Sequence, residues 1–183
     1  MNNNLYLLVG KSGSGKTTIA NLLESEYGYK QVRSYTTRKQ RDHGDNEHIF
    51  VSVEEFEKLQ NLAAYTFYND NHYGTTCEQL DKCSIYVIDP TGVEELVKRY
   101  KNERPIRVIY FSADIATRIN RMIARGDNYQ MIIERLLNDE SFDWTGKLHD
   151  IILHAPQNIK MYLVDANQEL DKVLSDTYGF MEQ

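Results

Sequence analysis

The chain has 183 residues, with 21 lysines and arginines against 27 aspartates and glutamates, and its formal net charge at neutral pH is −6. This acidic balance argues against a general nucleic-acid binder, whose surface would be basic. The apolar run near the N-terminus is far shorter than the about 20 residues that span a bilayer. We therefore expect a single cytoplasmic domain over residues 1–183, a monomer or homodimer that binds neither nucleic-acid polymers nor membranes.

The first predicted strand is an unbroken apolar run from Leu5 to Val9, which is typical of a strand buried on both faces. A glycine-rich loop follows, and Ile19, Leu22 and Leu23 then recur at the spacing of an amphipathic helix. Strand, loop and helix in this order predict an α/β fold built on a parallel sheet.

The loop between this strand and this helix reads GKSGSGKTT and matches the pattern G-x-x-x-x-G-K-[ST] in full. Glycines let the backbone fold around a phosphate, and successive N–H groups at the positive helix terminus then bind the anion. Lys16 is placed to reach the β and γ phosphates, and the Thr17 hydroxyl to bind Mg²⁺. The motif predicts ATP, or another nucleoside triphosphate, and Mg²⁺, with donor-binding residues Gly10, Lys11, Ser12, Gly13, Ser14, Gly15, Lys16, Thr17 and Thr18.

A cluster of cations follows in the segment RSYTTRKQR, which contains Arg33, Arg38, Lys39 and Arg41. Arg38 and Arg41 can grip one phosphate from two sides by charge-assisted hydrogen bonds, while Ser34 offers a hydroxyl. A solvated loop explains the same run when it is considered alone. Its place after a phosphate loop favours anion binding.

Residues 33–81 break the alternation of strands and helices, and we interpret them as a small α+β insert over the carboxyl edge of the sheet. Ser52 and Glu55 form a predicted capping box that starts a short helix. The stretch from Ala64 to Thr76 alternates as strands do, and its Asn-Asp-Asn turn predicts a hairpin. The hairpin is either an ordinary surface element or the wall of a binding pocket.

The second half continues with a strand from Ile85 to Ile88 and another from Arg107 to Phe111. Thr91 and Glu94 predict a capping box for the intervening helix. Asp89 is either the cap or turn acid of that helix, or an acid that holds a magnesium-bound water or an acceptor hydroxyl. The last strand is either residues 150–153 or residues 161–164.

Three arginines, Arg118, Arg121 and Arg125, share one face of a predicted helix, and Arg135 follows beyond Gly126. We expect Arg118 to face solvent and to pair with Asp114 or Asp127. The other three arginines predict a mobile lid over residues 118–140 that closes on phosphates and excludes water. Trp144 and Phe142 are expected to pack behind the lid or in the core.

Taken in order, GKSGSGKTT, SYTTRKQR with HIFVSVEEFEKL, HYGTT, VIDPTGVEEL and RMIARGD resemble the guanylate kinase family of nucleoside monophosphate kinases over roughly residues 5–140. The resemblance implies a three-layer P-loop kinase fold with a parallel sheet, a small α+β acceptor-binding insert and a helical lid. It implies transfer of a phosphoryl group from ATP to GMP. The residues to which it gives catalytic roles are Lys16, Arg38, Arg41, Arg121, Arg125 and Arg135.

The acceptor-binding residues expected from the sequence and the resemblance are Ser34, Arg38, Arg41, His48, Tyr73, Thr75 and Asp89. His48 stands where the family has a phosphate-binding tyrosine, and Thr75 stands at a base-reading serine. Ala64 occupies the place of the glutamate that reads guanine. Without that carboxylate, guanine discrimination should fall about tenfold or more, unless Asp70, Asp45 or Glu47 replaces it.

Two alternatives to a GMP kinase remain open at this stage. The first is a P-loop kinase for a different nucleotide or a phosphorylated sugar, which Ala64 favours. The second is a non-catalytic interaction module with a guanylate-kinase-like fold, which would not need the complete phosphate loop that this chain has.

Overall fold

The computed structural model describes residues 3–40, 48–68, 70–155 and 158–183. In chain order, the described elements are β1 (Leu5–Val9), α1 (Lys16–Tyr27), β2 (Ser34–Thr36), β3 (His48–Phe50), α2 (Val53–Glu57), β4 (Leu62–Tyr68), β5 (Asn71–Thr76), α3 (Cys77–Lys82), β6 (Ile85–Val87), α4 (Pro90–Arg99), β7 (Ile106–Ser112), α5 (Ile115–Ala124), α6 (Tyr129–Glu140), α7 (Trp144–His154), β8 (Ile159–Asp165) and α8 (Leu170–Met181). Every described helix falls short of the length and apolarity that a membrane crossing requires.

A parallel sheet with the strand order β6-β1-β7-β8 forms the centre of the molecule. All five residues of β1 are buried, because successive side chains of a strand point to opposite faces and both faces are covered. Leu5 and Leu7 pack with residues of α4 and α7, whereas Tyr6 and Leu8 pack with residues of α1 and α8. Helices on both faces of the sheet give the expected three layers.

A second sheet, in the order β3-β2-β5-β4, lies between α1 and α4 in the chain. Strand β2 pairs in parallel with β3 and antiparallel with β5, and β4 and β5 form the predicted hairpin. Asp70 takes a left-handed conformation at the turn, with φ of 57°. Strand β4 packs against α4, and this contact sets the second sheet beside the carboxyl end of β6.

The capping box of α2 is confirmed, since Ser52 and Glu55 each accept from the other's backbone N–H. The predicted box at Thr91 and Glu94 is wrong. Helix α4 begins two residues earlier, where the Asp89 carboxylate accepts from the Gly92 N–H at 2.8 Å and Pro90 occupies the first helical position. Proline lacks the N–H that would be unsatisfied at that position, so the helix starts there at no cost.

The last strand is β8, which contains residues 161–164. Residues 150–153 belong instead to α7, whose N-cap Asp143 accepts from the Gly146 N–H at 3.0 Å. Short apolar runs suit a buried helix as well as a strand, which is why the sequence left both segments open.

Candidate functional site

The phosphate loop connects β1 to α1, and its last glycine, Gly15, is the N-cap of that helix. Gly13 and Gly15 have φ of 78° and 93°, a conformation that glycine adopts without strain. A Cβ at Gly13 would come within 2.6 Å of the Arg118 carbonyl oxygen. Gly15 caps α1 without a side-chain hydrogen bond. The first turn of α1 therefore presents N–H groups to an anion.

The Lys16 ammonium lies over this loop. It donates to the Lys11 carbonyl oxygen at 3.0 Å and to Ser14 Oγ at 3.3 Å. Thr17 follows in the first turn of α1, and its hydroxyl is the kind of oxygen ligand that Mg²⁺ accepts beside water and phosphate. The described residues contain no cluster of three or more metal-ligating side chains. Thr17 thus fits the predicted metal position only with a bound phosphate completing the set.

A cleft of about 210 Å³ runs from the phosphate loop to the second sheet. One part of its wall comes from the phosphate loop, the carboxyl end of β6 and the first turns of α4 and α7. The other part comes from the four strands of the second sheet, β2, β3, β4 and β5. The residues that line it are Gly10, Ser12, Lys16, Ser34, His48, Ala64, Tyr65, Thr66, Tyr73, Tyr86, Val87, Ile88, Asp89, Gly92 and Trp144.

Three predicted acceptor residues, Ser34, His48 and Tyr73, lie together in the wall of the cleft. Ser34 Oγ and His48 Nδ1 share a hydrogen bond of 2.8 Å, and the His48 ring meets the Tyr73 ring edge to face at 5.8 Å. Parallel pairing of β2 with β3 places Ser34 directly beside His48. Hydroxyl, imidazole and phenol groups are all able to donate to a phosphate oxygen.

Arg38 does not line this cleft; its guanidinium lies 5.4 Å from the centre of the Phe50 ring and donates to the Lys39 carbonyl oxygen at 3.0 Å. Arg41 lies outside the described residues. The roles assigned to these two arginines stay predictions.

The wall where the base is expected carries no carboxylate from the hairpin. Ala64 lines the cleft with a methyl group, and Thr66 lies two residues further on the same strand. Thr75 is fully buried and donates to Gln79 Oε1 at 2.9 Å instead of lining the cleft. Asp70 is exposed at the hairpin turn, and the other two proposed substitutes, at positions 45 and 47, lie outside the described residues.

Asp89 caps α4, as one of the two interpretations expected, and it also lines the cleft. Its role in holding a magnesium-bound water or an acceptor hydroxyl stays a prediction. Burial raises the pKa of the Asp89 carboxyl, while hydrogen bonds from backbone N–H groups and the nearby Lys16 ammonium act against that shift. Burial also raises the pKa of the adjacent Tyr86 phenol, with the charge of Asp89 adding to it. Raised pKa values in a cleft are typical of functional positions.

The predicted lid arginines occupy different environments. Arg121 reaches the phosphate loop, where its Nη1 donates to the Ser14 carbonyl oxygen at 3.4 Å. Arg125 and Arg135 instead face Asp127, at 2.5 Å and 3.8 Å, and neither lines the cleft. Gly126, with φ of 88°, separates α5 from α6. Closure of residues 118–140 as a lid stays a prediction.

The expectation for Arg118 is wrong. Its side chain is only 1% exposed and binds Asp139 at 3.1 Å and Glu140 at 2.8 Å, not Asp114 or Asp127. Helix α6 folds back along α5 and brings the two carboxylates to a residue 21 positions away from Asp139. No local spacing indicates such a pair, and the sequence offers Arg135, four residues before Asp139 on α6, as a nearer cation.

The same two carboxylates contact the phosphate loop. Asp139 accepts from the Ser12 backbone N–H at 2.8 Å, and Glu140 accepts from Lys11 Nζ at 2.8 Å. The end of α6, the start of α5 and the phosphate loop are therefore joined by charged hydrogen bonds.

Trp144 has a position that the sequence did not indicate in full. It packs against the core between the sheet and α4, as expected, but it also lines the cleft. The Phe142 ring meets it edge to face at 6.4 Å, and Phe142 itself is 38% exposed.

Comparisons with known proteins show the family to which the chain is similar. A family model described as an AAA domain matches residues 7–143. The guanylate kinase of Mycoplasmopsis pulmonis (strain UAB CTIP) is 32% identical over 190 aligned positions, which cover 93% of this chain and 93% of that protein. The chain belongs to the guanylate kinase family. The guanylate kinase of Helicobacter pylori (strain J99) is 34% identical over 167 positions, covering 79% of this chain and 80% of that protein.

The fold also matches a solved member of the guanylate kinase family. The crystal structure of guanylate kinase from Anaplasma phagocytophilum aligns with a TM-score of 0.54 and 18% identity, covering 97% of this chain and 84% of that chain. The α/β fold expected from the sequence is confirmed. The family consists of P-loop phosphotransferases that use ATP and Mg²⁺ in general, and this chain is an enzyme of that class.

Proposed function

We propose that the protein transfers the γ-phosphoryl group of ATP to the phosphate of GMP and releases ADP and GDP. The observation that carries the proposal is one cleft lined both by Lys16 of the phosphate loop and by Ser34, His48 and Tyr73. A donor-phosphate lysine and a group of side chains that suit an acceptor phosphate, lining a single cleft, are what a transfer between two phosphates requires.

The reaction needs no general base on the protein. A phosphate monoester is largely dianionic at neutral pH because its second pKa is about 6, so its oxygen is already a nucleophile. The obstacle is the repulsion between two anions held in line. Lys16, the amides of residues 13–17 and the closing arginines would offset this repulsion as charge moves onto the bridging oxygen. Mg²⁺ held through the Thr17 hydroxyl would neutralise further charge on the donor phosphates.

We assign residues 33–81 to the acceptor-binding insert and residues 118–140 to the lid. Contact of Arg121 with the Ser14 carbonyl supports the lid assignment, since it already places one arginine beside the donor loop. Arg125 and Arg135 would exchange Asp127 for donor phosphates as the lid closes.

The second candidate is the same transfer to a different nucleotide or to a phosphorylated sugar. The methyl group of Ala64 favours it, because this position offers no acceptor for the N–H groups of guanine. Among the described residues that line the cleft, Asp89 is the one with a carboxylate. If the acceptor is GMP, this carboxylate would accept hydrogen bonds from the N–H groups of guanine.

A coupled assay for ADP release, with Mg-ATP and a panel of GMP, AMP, CMP, UMP and ribose phosphates, tests both candidates. We expect the highest kcat/KM with GMP. Turnover that excludes GMP would support the second candidate, and no turnover with any acceptor would support the interaction module.

The variant Lys16→Ala should abolish turnover by removing the cation that contacts the transferred group, at a cost of about 3 kcal/mol or more in transition-state free energy. Lys98→Ala is the matched control, because Lys98 lies on the surface of α4 and pairs with Glu94. Circular dichroism should show the same fold for both variants. Turnover retained by Lys16→Ala would contradict the mechanism.

A further inference from the structure

Trp144 is fixed in the cleft by the way α7 begins. The residue is the first of the helix, directly after the N-cap Asp143. One turn later, Lys147 pairs with Glu94 and holds α7 against α4. Phe142 covers the indole edge to face. These contacts fix the ring at a wall that it shares with Asp89 and Gly92.

The indole nitrogen of Trp144 has no hydrogen-bond partner among the described residues, although it is buried. A buried N–H is normally paired, because water that it gives up on folding must be replaced by another acceptor. Tryptophan is also the side chain that most often combines an apolar face with one directed donor at a binding surface. Because the residue that carries this N–H lines the cleft, a ligand bound there is the candidate source of the missing acceptor atom.

The chemistry of the surrounding wall narrows the choice of ligand. Ala64, Thr66 and Gly92 line the same cleft as Trp144, and their small side chains leave the cleft room for a flat group. Lys16, Ser34 and His48 line the same cleft and suit a phosphate. A nucleoside monophosphate offers both a flat base and phosphate oxygens, and aromatic side chains stack on every base.

We propose that Trp144 is a binding residue for the acceptor nucleotide, donating its Nε1–H to an acceptor atom of the base or phosphate and packing its ring against the ligand. The proposal rests on the proposed function in one respect, namely that the cleft takes a nucleoside monophosphate. It adds a contact from α7, a helix outside both the predicted insert and the predicted lid.

The chain has one tryptophan, so its fluorescence reports Trp144 alone. The first experiment titrates the full-length protein, without ATP, with GMP, AMP, guanosine and inorganic phosphate, and measures binding of each by calorimetry in parallel. We expect a saturable change of tryptophan emission whose midpoint equals the calorimetric Kd of the monophosphate that binds. A change with guanosine identifies a base contact, and a change with inorganic phosphate identifies a phosphate contact.

The second experiment measures the variant Trp144→Phe, which keeps a ring and loses the donor. KM for the acceptor should rise about 5- to 10-fold, as expected for one lost hydrogen bond, while KM for ATP stays unchanged. Leu153→Ala is the matched control, because Leu153 lies on the same helix, is 69% exposed and does not line the cleft, so it should alter neither constant. Thermal unfolding checks that both variants fold.

Unchanged emission when calorimetry shows a bound monophosphate would overturn the assignment, and so would an unchanged acceptor KM in Trp144→Phe. A response to ATP alone, or no binding of any monophosphate, would also overturn it. The two proposals fail separately: a monophosphate that shifts the emission without being phosphorylated refutes the kinase and retains Trp144. Turnover of GMP with silent emission on GMP binding refutes Trp144 and retains the kinase.

Discussion

Replacing Arg118 by methionine should lower the free energy of unfolding by about 3–5 kcal/mol, the usual cost of removing one partner of a buried ion pair. The guanidinium is 1% exposed and the Asp139 carboxylate 7%, so the variant leaves a carboxylate buried without its cation. Glu140 is 51% exposed and adds at most about 1 kcal/mol, because solvent screens it. Arg118 Nε is buried without a partner among the described residues. Because the variant removes this unpaired donor, we expect the loss of unfolding free energy to lie at the lower end of that range.

The loss is measurable as a shift in thermal unfolding. For a chain of this size, 1 kcal/mol moves the midpoint by about 2–4 °C, so the variant should unfold about 6–20 °C below the wild type. Arg125→Met is the matched control, since Arg125 is 49% exposed and its pair with Asp127 contributes less than about 1 kcal/mol.

A double variant separates the lost pair from lost packing. Arg118→Met with Asp139→Leu removes both buried charges, and we expect it to recover most of the stability that the single variant loses. The Ser12 N–H then loses its acceptor, but it lies near solvent and water replaces the carboxylate. A single variant that loses less than about 1 kcal/mol, with an unchanged denaturant m-value, would refute the reasoning.

Two further predictions concern the cleft. Asp89→Asn should raise the unfolding midpoint by an amount that grows as the pH rises above about 4, and it should weaken turnover. Burial raises the folded-state pKa of Asp89, so this carboxyl costs stability once the pH passes its unfolded value of about 3.9, whereas asparagine caps α4 equally well. A midpoint difference that stays flat or shrinks with pH would contradict the shift. Ala64→Glu should raise the ratio of kcat/KM for GMP over AMP by about tenfold or more, because it supplies an acceptor for guanine N–H groups; an unchanged ratio in a variant that still folds would show that the base lies elsewhere.

Sequence reasoning succeeded where the determinant is local. The phosphate loop and the capping box at Ser52 are each specified within a few residues, because backbone conformation and the first hydrogen bonds of a helix depend on near neighbours. The cap of α4 was placed two residues late, because two competing cap residues, Asp89 and Thr91, stand close together and the proline decides between them.

The rest depends on contacts between distant segments. The pairing of Arg118 with Asp139 requires α6 to return along α5, and no periodicity encodes that partner. The Thr75 hydroxyl lies in the hairpin that the sequence predicts, yet it donates to Gln79 of the following helix. Trp144 reaches the cleft only because α7 packs on α4. A sequence pattern gives the face of a helix or strand on which a residue lies, whereas the tertiary fold decides which residue it contacts.

The attachment of α5 and α6 to the phosphate loop limits how far the tip of these two helices would move if they closed over the donor site. Both helices are fastened at the end away from Gly126, because Asp139 of α6 accepts from the Ser12 N–H and Arg118 of α5 binds the same carboxylate. From Arg118 to the end of α5 at Ala124, the free arm is about 9 Å at 1.5 Å per residue. A rotation of about 30° about this anchor would carry the tip only about 5 Å. A larger movement would have to break these contacts with the phosphate loop. The free-energy cost of breaking them would then apply to donor binding and to lid closure together.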